Sequence, residues 1–454
     1  MLKKAAECAE TLKKCEEAII VSHIDADGLT AAGIMCMALE REGIDYTTKF
    51  LKKLDTTALN EIADIGRELV IFTDLGSTMQ KEIDALNLNV IISDHHQPVG
   101  VTLEHHLNPH LFGINGTDEL SGSGTAYLFA KEIGSNMDLA GLAVVGAVGD
   151  MQDAKTGRLI GMNRHNMQDG VDAGVISVET DIRLFGRQTR PVYKLLEYCS
   201  DPYIPGISAN EAGCIEFLRE LDIPLKDFGW RHWIHLNRDE KQRIVSKLMR
   251  LCMESGIPPY KVERIVGEVY TLQREQEGTE LRDATEYSTL LNATARYGHA
   301  DIGLNVCLGD RDESYTFAHN LLAQHRRNLV DGLHFVKETG VTTMKHLQYF
   351  HAGYNIQDTI IGIVAGMSAS TESVDRRMPI IALADAEDGI KVSSRGTQDL
   401  IRQGLNLAVA LRESAEQVGG TGGGHDIAAG ATIPKGEEER FLAILDTRIG
   451  MQLK

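Results

Sequence analysis

The residues best suited to chemistry fall into four groups along the first third of the chain. His23, Asp25 and Asp27 alternate in Ser22-His23-Ile24-Asp25-Ala26-Asp27-Gly28. Alternate side chains of an extended segment point the same way, so these three can face one ligand. A single acid, Asp74, follows Ile71-Phe72-Thr73, and Asp94-His95-His96 follows Val90-Ile91-Ile92-Ser93. Asp150 ends the small apolar run Leu139 to Asp150 (LAGLAVVGAVGD). Taken alone, each group also reads blandly, as a polar turn closed by Asp27-Gly28 or as Asp74 capping the next helix. Adjacent histidines beside an acid are harder to ascribe to packing, because such a carboxylate can orient an imidazole.

The combination narrows the chemistry. Four carboxylates and two or more imidazoles gathered at one place would repel and titrate badly without cations. Mixed oxygen and nitrogen donors with no thiolate suit Mn²⁺, or Mg²⁺, better than structural zinc. The expected chemistry is hydrolysis of a phosphoester with two divalent cations. One ion lowers the pKa of the attacking water, and both stabilise charge developing at phosphorus.

Three of the groups stand just past short apolar runs, Ala18 to Val21, Glu68 to Thr73 and Asn89 to Ser93, with helical patterns between them at Leu29 to Arg41 and about Met79 to Leu86. Strands alternating with helices predict a parallel α/β sheet, and ligands of such sheets bind beyond the carboxyl ends of the strands. The polar groups should therefore converge there. Leu139 to Asp150, with Gly146 and Gly149 for close packing, is expected as a buried helix or strand aimed at the same site.

The organisation expected is a parallel-sheet α/β domain over 1–310 with a helical insertion at about 190–285, a connecting helix over 311–338, and a smaller α/β domain over 339–454. Tyr315, Ala318, Leu322, His325, Leu329, Leu333 and Val336 supply the helical period of the connector. In the smaller domain, Thr359 to Ala365, Pro379 to Ala384 and Gly389 to Ser394 read as strands, and Gln398 to Val418 as a helix. The run Gly419 to Gly424 ending in His425 reads as a backbone cradle for phosphate, helped by a following helix N-terminus, with Arg395 as a charged fork. As a bare sequence such a run is equally a flexible turn.

Ser22 to Gly28, FTDLG around Asp74, SDHH (Ser93 to His96) and GAVGD ending at Asp150 together resemble the ordered motifs of the DHH phosphoesterase superfamily. The resemblance implies one Mn²⁺ on His23, Asp25 and Asp74 and a second on Asp27, Asp74, His95 and Asp150, with Asp74 bridging. It further implies catalytic roles for His96, facing the scissile phosphate, and for Asp94, orienting its neighbours. Leu291 to Arg296 (LNATAR) is similar to a RecJ segment, N-A-x-G-R, whose Asn and Arg hold the nucleic-acid backbone, which nominates Asn292 and Arg296; Ala295 departs from the Gly of that pattern. Arg395 and Gly422, Gly423, Gly424 and His425 look like the DHH-associated substrate-binding domain. The stretch from Arg183 through Pro205-Gly206 is similar to archaeal RecJ-like proteins. It holds a basic cluster, Arg183, Arg187, Arg190 and Lys194, open to two readings, phosphate contact or solvated and ion-paired side chains. His105, His106 and His110 are expected to be structural or incidental.

On this resemblance the chain is expected to be a metal-dependent exonuclease acting at the end of single-stranded DNA or RNA, in replication or repair. Two alternatives stand beside it: a short-oligonucleotide or nucleotide phosphatase of the same superfamily, and a replisome scaffold binding a GINS-type complex. Composition bounds all three. The 454 residues carry 46 Lys+Arg against 65 Asp+Glu, a net charge of −19, which excludes a protein that coats nucleic acid by bulk attraction. Seven cysteines without a CxxC pair are expected as reduced, buried thiols. No run reaches the roughly 18 apolar residues of a membrane span, and a cytoplasmic protein without a membrane partner is expected, its oligomeric state left open.

Overall fold

The computed structural model describes residues 1–100, 102–199, 201–369 and 374–453. They form two compact units, Met1–Leu322 and Ala323–Lys454.

In the first unit, β1 (Glu17–His23), β2 (Asp45–Leu51), β3 (Leu69–Thr73), β4 (Val90–Ser93) and β5 (His106–Leu107) make a parallel sheet in the order β2-β1-β3-β4-β5. β3 is buried along its whole length and β1 at all but its ends, as strands covered on both faces require. Edge strand β2 (DYTTKFL) is polar and half-buried, which is why no apolar run announces it. The strand order reverses between β1 and β3, so connections leave that pair on opposite faces and open a crevice beyond their carboxyl ends. Register brings the polar groups to it: Ser22 lies beside Thr73 and Thr73 beside Ser93, so His23, Asp74 and Asp94 follow on adjacent strands.

Helices α1 (Leu2–Leu12), α2 (Ala26–Glu42), α3 (Gly122–Ile133) and α4 (Ala140–Gly149) supply much of the remaining core. The run ending at Asp150 is thus a helix. Its Gly146 is required by a close approach: a Cβ there would lie 2.2 Å from Ser123 Oγ and 2.4 Å from Thr30 Oγ1. A hairpin of β6 (Ile176–Ile182) and β7 (Val266–Leu272) brackets the insertion, which has its own core of Leu196, Leu218, Trp233, Ile244 and Leu248. Its longest helix, α5 (Arg238–Glu254), begins at a reciprocal cap between Asn237 and Glu240. Next come α6 (Ala284–Arg296) and the long α7 (Glu313–Thr339).

The second unit is built on β8 (Thr342–Thr343), β9 (Gln348–His351), β10 (Ile380–Ala386), β11 (Gly389–Arg395), β12 (Thr421–Gly424) and β13 (Ala428–Ile433), in the order β12-β13-β11-β10-β9-β8. Neighbours are antiparallel except β9 and β10. Three local expectations fail here. The segment at 359–365 is not a strand; it leads into α8 (Ile361–Ser368), whose Ile/Val-rich run carries no period to separate helix from strand. The single helix over 398–418 is two, α9 (Gln398–Arg402) and α10 (Leu407–Glu416), broken where Gly404 takes φ +106°. The glycines form edge strand β12, followed by a turn and β13, so no helix N-terminus stands behind them. A last helix, α11 (Glu438–Gln452), packs Phe441 and Leu445 into this unit's core. All seven cysteines are free and buried. Among the described residues no helix is long and apolar enough to cross a membrane.

Candidate metal centre

The crevice beyond β1, β3 and β4 gathers His23, Asp25, Asp27, Asp74, Asp94, His95, His96 and Asp150. Asp25 caps α2 by accepting from the Gly28 N–H at 3.0 Å, which leaves Oδ2 facing His23 Nδ1 at 2.9 Å. Gly28 has to be glycine, since a Cβ would sit 2.2 Å from the His23 carbonyl oxygen. Asp27, in the first turn of α2 and 2% exposed, accepts from the first N–H groups of α3, Gly122 at 2.7 Å and Ser123 at 2.9 Å. Asp74 turns off β3 in the left-handed region, φ +56°, a strained conformation for a non-glycine residue. Its Oδ1 lies 3.2 Å from His95 Nε2 and 3.9 Å from His96 Nδ1, and its Oδ2 lies 3.6 Å from His23 Nδ1.

The histidines are aimed from behind. His95 Nδ1 lies 2.7 Å from the Gly116 carbonyl and donates to it, which directs Nε2 at Asp74 and, 3.8 Å away, at Asp27. Asp94 accepts from the His95 and His96 N–H groups at 2.7 and 3.2 Å, from His96 Nδ1 at 2.8 Å and from the Ser77 N–H at 2.9 Å. His96, held this way, stays half-exposed at the mouth of the site. Asp150 follows α4 with its Oδ2 3.9 Å from His95 Nδ1. Gln152 donates to Asp150 at 2.8 Å and to the Gly116 carbonyl at 2.8 Å, tying those two supports together.

Charge in the crevice is unbalanced. Burial disfavours the charged His23 ring, yet Asp25 and Asp74 outweigh it and hold its pKa up at about 11. The same contest, with Asp74, Asp27 and Asp150 as the acids, raises His95. Burial pushes the Asp27 and Asp150 carboxyls up, with Asp74 adding to both. Burial opposes ionisation of Asp74 as well, but His23 and His95 prevail and hold it at about 2. Protons thus do the work that cations would do better. The donors fit divalent metal on a second ground, since His23 Nδ1 and Asp74 Oδ1 are buried and make no hydrogen bond. Three candidate donor sets, His23/Asp25/Asp74, Asp27/His95/Asp150 and Asp74/His95/His96, each have ligand atoms within 4.8 Å of one another.

The other nominated residues have mixed fates. Asn292 Oδ1 accepts from the Ala26 N–H at 3.0 Å, so this side chain fixes the start of α2 beside Asp25. Arg296, at the end of α6, is partly buried near Asp25; burial lowers its pKa and Asp25 partly offsets this. Two of the spare histidines have partners away from the ligand groups. His106 Nε2 meets Ser77 Oγ at 2.9 Å, behind the Asp94 loop, and His105 Nε2 meets Thr11 Oγ1 at 2.9 Å. Of the basic cluster, Arg183 pairs with Asp153 at 2.5 Å, Arg187 with Asp283 at 2.6 Å, and Lys194 with Glu197 and Glu211. Arg190 stacks over Phe185 and Tyr198. Arg183 and Arg187 are thus committed to buried ion pairs, and Lys194 to carboxylates nearer the surface. In the second unit, Arg395 ends β11 and lies over α8, where a Cβ on Gly362 would come within 3.0 Å of its guanidinium. Gly422, Gly423 and Gly424 form the sheet edge, and exposed His425 begins the turn.

Sequence reasoning missed Gly122, Ser77, Gly116 and Gln152. The first allows contact: its Cβ would lie 2.5 Å from Asp74 Oδ1. The others act through backbone groups or a second partner and carry no motif of their own.

Comparison with known proteins gives the family. Models described as "DHH family, N-terminal domain", "DHH-CID domain" and "DHHA1 domain" match residues 17–147, 184–266 and 344–451. A Methanocaldococcus jannaschii protein named "Uncharacterized protein MJ0831" is 31% identical over the full length of both chains. Among solved structures, RecJ from Thermus thermophilus in complex with Mn²⁺ has a TM-score of 0.61 at 18% identity, covering 99% of this chain and 55% of that one. An exonuclease RecJ bound to manganese has a TM-score of 0.61 at 17% identity, covering 99% and 94%. CDC45 from Entamoeba histolytica has a TM-score of 0.69 at 13% identity, covering 99% of each chain. With the DHH motifs at the strand ends, a DHH-CID insertion and a DHHA1 second unit, this chain belongs to the DHH family.

Proposed function

We propose that the chain is a two-metal phosphodiesterase that removes nucleotides from an end of single-stranded DNA or RNA. The observation that carries this reading is the buried Asp74 carboxylate, whose two oxygens face different histidines, Oδ1 towards His95 and Oδ2 towards His23. One ion would rest on His23, Asp25 and Asp74, the other on Asp27, Asp74, His95 and Asp150. Mn²⁺ is the first choice for such mixed donors and Mg²⁺ the second; the RecJ structures are described as complexes with one or the other. When bound, the ions acidify a water and offset negative charge at phosphorus.

The chain's own groups do the rest. Asp94 raises the pKa of His96 and fixes its ring, so a half-exposed imidazole stands at the mouth of the site with a proton to give to a phosphate or leaving oxygen. Asn292 and Arg296 are assigned to the strand backbone beside Asp25. Arg395, the outer backbone groups of edge strand Gly422-Gly423-Gly424, and His425 are assigned to a terminal phosphate or nucleotide, since an edge strand keeps unpaired N–H groups.

The test is digestion of 5′-labelled and 3′-labelled single strands of DNA and RNA with Mn²⁺, beside an Asp74→Ala variant. Stepwise shortening from one end, lost in the variant, is expected. Undiminished cleavage by Asp74→Ala refutes the two-metal assignment, and hydrolysis of dinucleotides alone makes the chain a short-oligonucleotide phosphatase. A second reading, a scaffold docking on a GINS-type replication complex, is favoured by the end-to-end likeness to CDC45. It predicts a partner complex that forms equally well with Asp74→Ala and a wild type without hydrolytic activity.

A further inference from the structure

We infer that the strand is held a second time near the metal centre, in the cleft lined by Lys155, Arg158, Tyr260 and Arg264, which takes the phosphodiester backbone and one base on the uncleaved side of the scissile bond. The inference rests on the phosphodiesterase reading and extends it to the uncleaved part of the substrate.

The cleft encloses about 610 Å³ between the loop after Asp153, the β6/β7 hairpin and the end of the insertion. That volume suits a nucleotide-sized ligand. Its cations are more available than those the sequence nominated. Arg158 and Arg264 pair with no carboxylate among the described residues, whereas Arg183 and Arg187 are committed to Asp153 and Asp283. Lys155 reaches Asp118 only at 3.4 Å, and its side chain is 73% exposed. Two acids share the lining, Glu263 and Glu268. Glu268 is occupied by Arg164 and by the Tyr270 hydroxyl, so the open surface carries an excess of positive charge.

An aromatic ring completes the site. Tyr260 is 52% exposed, with the Arg264 guanidinium 5.6 Å from its ring centroid. A ring and cations side by side form the usual platform for a single strand, one base stacking while its phosphates meet the charges. The platform is joined rigidly to the chemistry. The Gly157 carbonyl accepts from the Glu268 N–H at 2.8 Å, and a Cβ on Gly267 would lie 2.5 Å from that carbonyl and 2.7 Å from Arg183 Cδ. Arg183 in turn holds Asp153, three residues beyond the candidate ligand Asp150. Lys155 follows Asp150 by five residues, at most about 18 Å of extended chain. About five stacked nucleotides span that distance.

The test measures binding of fluorescent DNA and RNA strands of about 20 nucleotides to the full-length chain, with metal chelated to prevent cleavage, over a range of salt. Tyr260→Ala should weaken binding on the order of tenfold. Arg158→Ala with Arg264→Ala should flatten the slope of log K against log salt by about 1.4, two phosphate contacts at about 0.7 each. Both variants alter surface groups and should melt with the wild type. Unchanged affinity and slope in variants that melt normally overturn the inference. Wild-type cleavage separates this from the parent reading: a chain that holds strands through the cleft yet hydrolyses none refutes the phosphodiesterase assignment alone. One that hydrolyses strands while the cleft variants bind as wild type refutes the cleft alone.

Discussion

Asp27 is a buried acid that gives both oxygens to the first turn of α3, and Gly122 at that turn presses against Asp74. Two candidate ligands are thereby locked through one glycine. Gly122→Ala would place a methyl group 2.5 Å from Asp74 Oδ1. We expect it to destabilise the fold by about 1–3 kcal/mol and to reduce the rise in melting temperature expected on adding Mn²⁺, both read in one thermal titration. The candidate ligand types were legible in the sequence only in combination, because each group alone also reads as a turn or a cap, and Asp25 does cap α2. Their supports were not: Gln152 and the Gly116 carbonyl act by position, and nothing in their identity marks it. A second expectation follows from the protons held in the crevice. His23 and His95 are raised by their acidic neighbours, and burial raises Asp27 and Asp150, so this cluster holds protons that a cation must displace. Binding should release protons, and affinity for Mn²⁺ should therefore rise with pH. Calorimetry in two buffers of different ionisation heat checks this; a heat independent of buffer would contradict it.

At the scale of elements, the reversal of strand order between β1 and β3 brings residues tens of positions apart to one crevice. The strands that carry the motifs could be read because they are apolar runs ending in acids. Edge strand β2 and helix α8 could not, the one because it is too polar and the other because an unbroken apolar run has no period. The insertion offers the sharper lesson in charge. Arg187 is 4% exposed and donates to Asp283, the residue that caps α6, and it also faces Asp181 at 3.5 Å. A basic residue in a sequence cluster is here an anchor between β6 and α6. Arg187→Ala would leave the buried Asp283 carboxylate without its cation, while Asp181 keeps Lys241 and the Trp233 indole, and should cost about 3–5 kcal/mol, measured by chemical denaturation. If Arg187 instead met phosphate, the variant would fold normally and lose part of the salt dependence of strand binding.

For the whole molecule, the net charge of −19 and the division of the chain bear on the same question. Five of the acids, Asp25, Asp27, Asp74, Asp94 and Asp150, belong to the crevice, but most of the excess lies elsewhere and opposes non-specific contact with a polyanion. On the proposed reading, affinity must then come from a few local groups. All of the candidate metal ligands, with Asp94, His96, Asn292 and Arg296, lie in Met1–Leu322, whereas Arg395 and the glycine edge lie in Ala323–Lys454. The cores are divided in the same way: the clusters around Ile20, Leu29, Trp233 and Phe72 belong to the first unit, those around Leu383 and Val364 to the second. A unit with its own core can fold alone. A fragment ending at Leu322 should therefore fold cooperatively and keep a Mn²⁺-dependent gain in melting temperature; on the proposed function it hydrolyses single strands with a raised KM, because the contacts proposed for Arg395 and the glycine edge are gone. Loss of the Mn²⁺ effect in a folded fragment would mean that the metal centre needs groups from the second unit, and an unchanged KM would remove Arg395 and Gly422 to His425 from the substrate site.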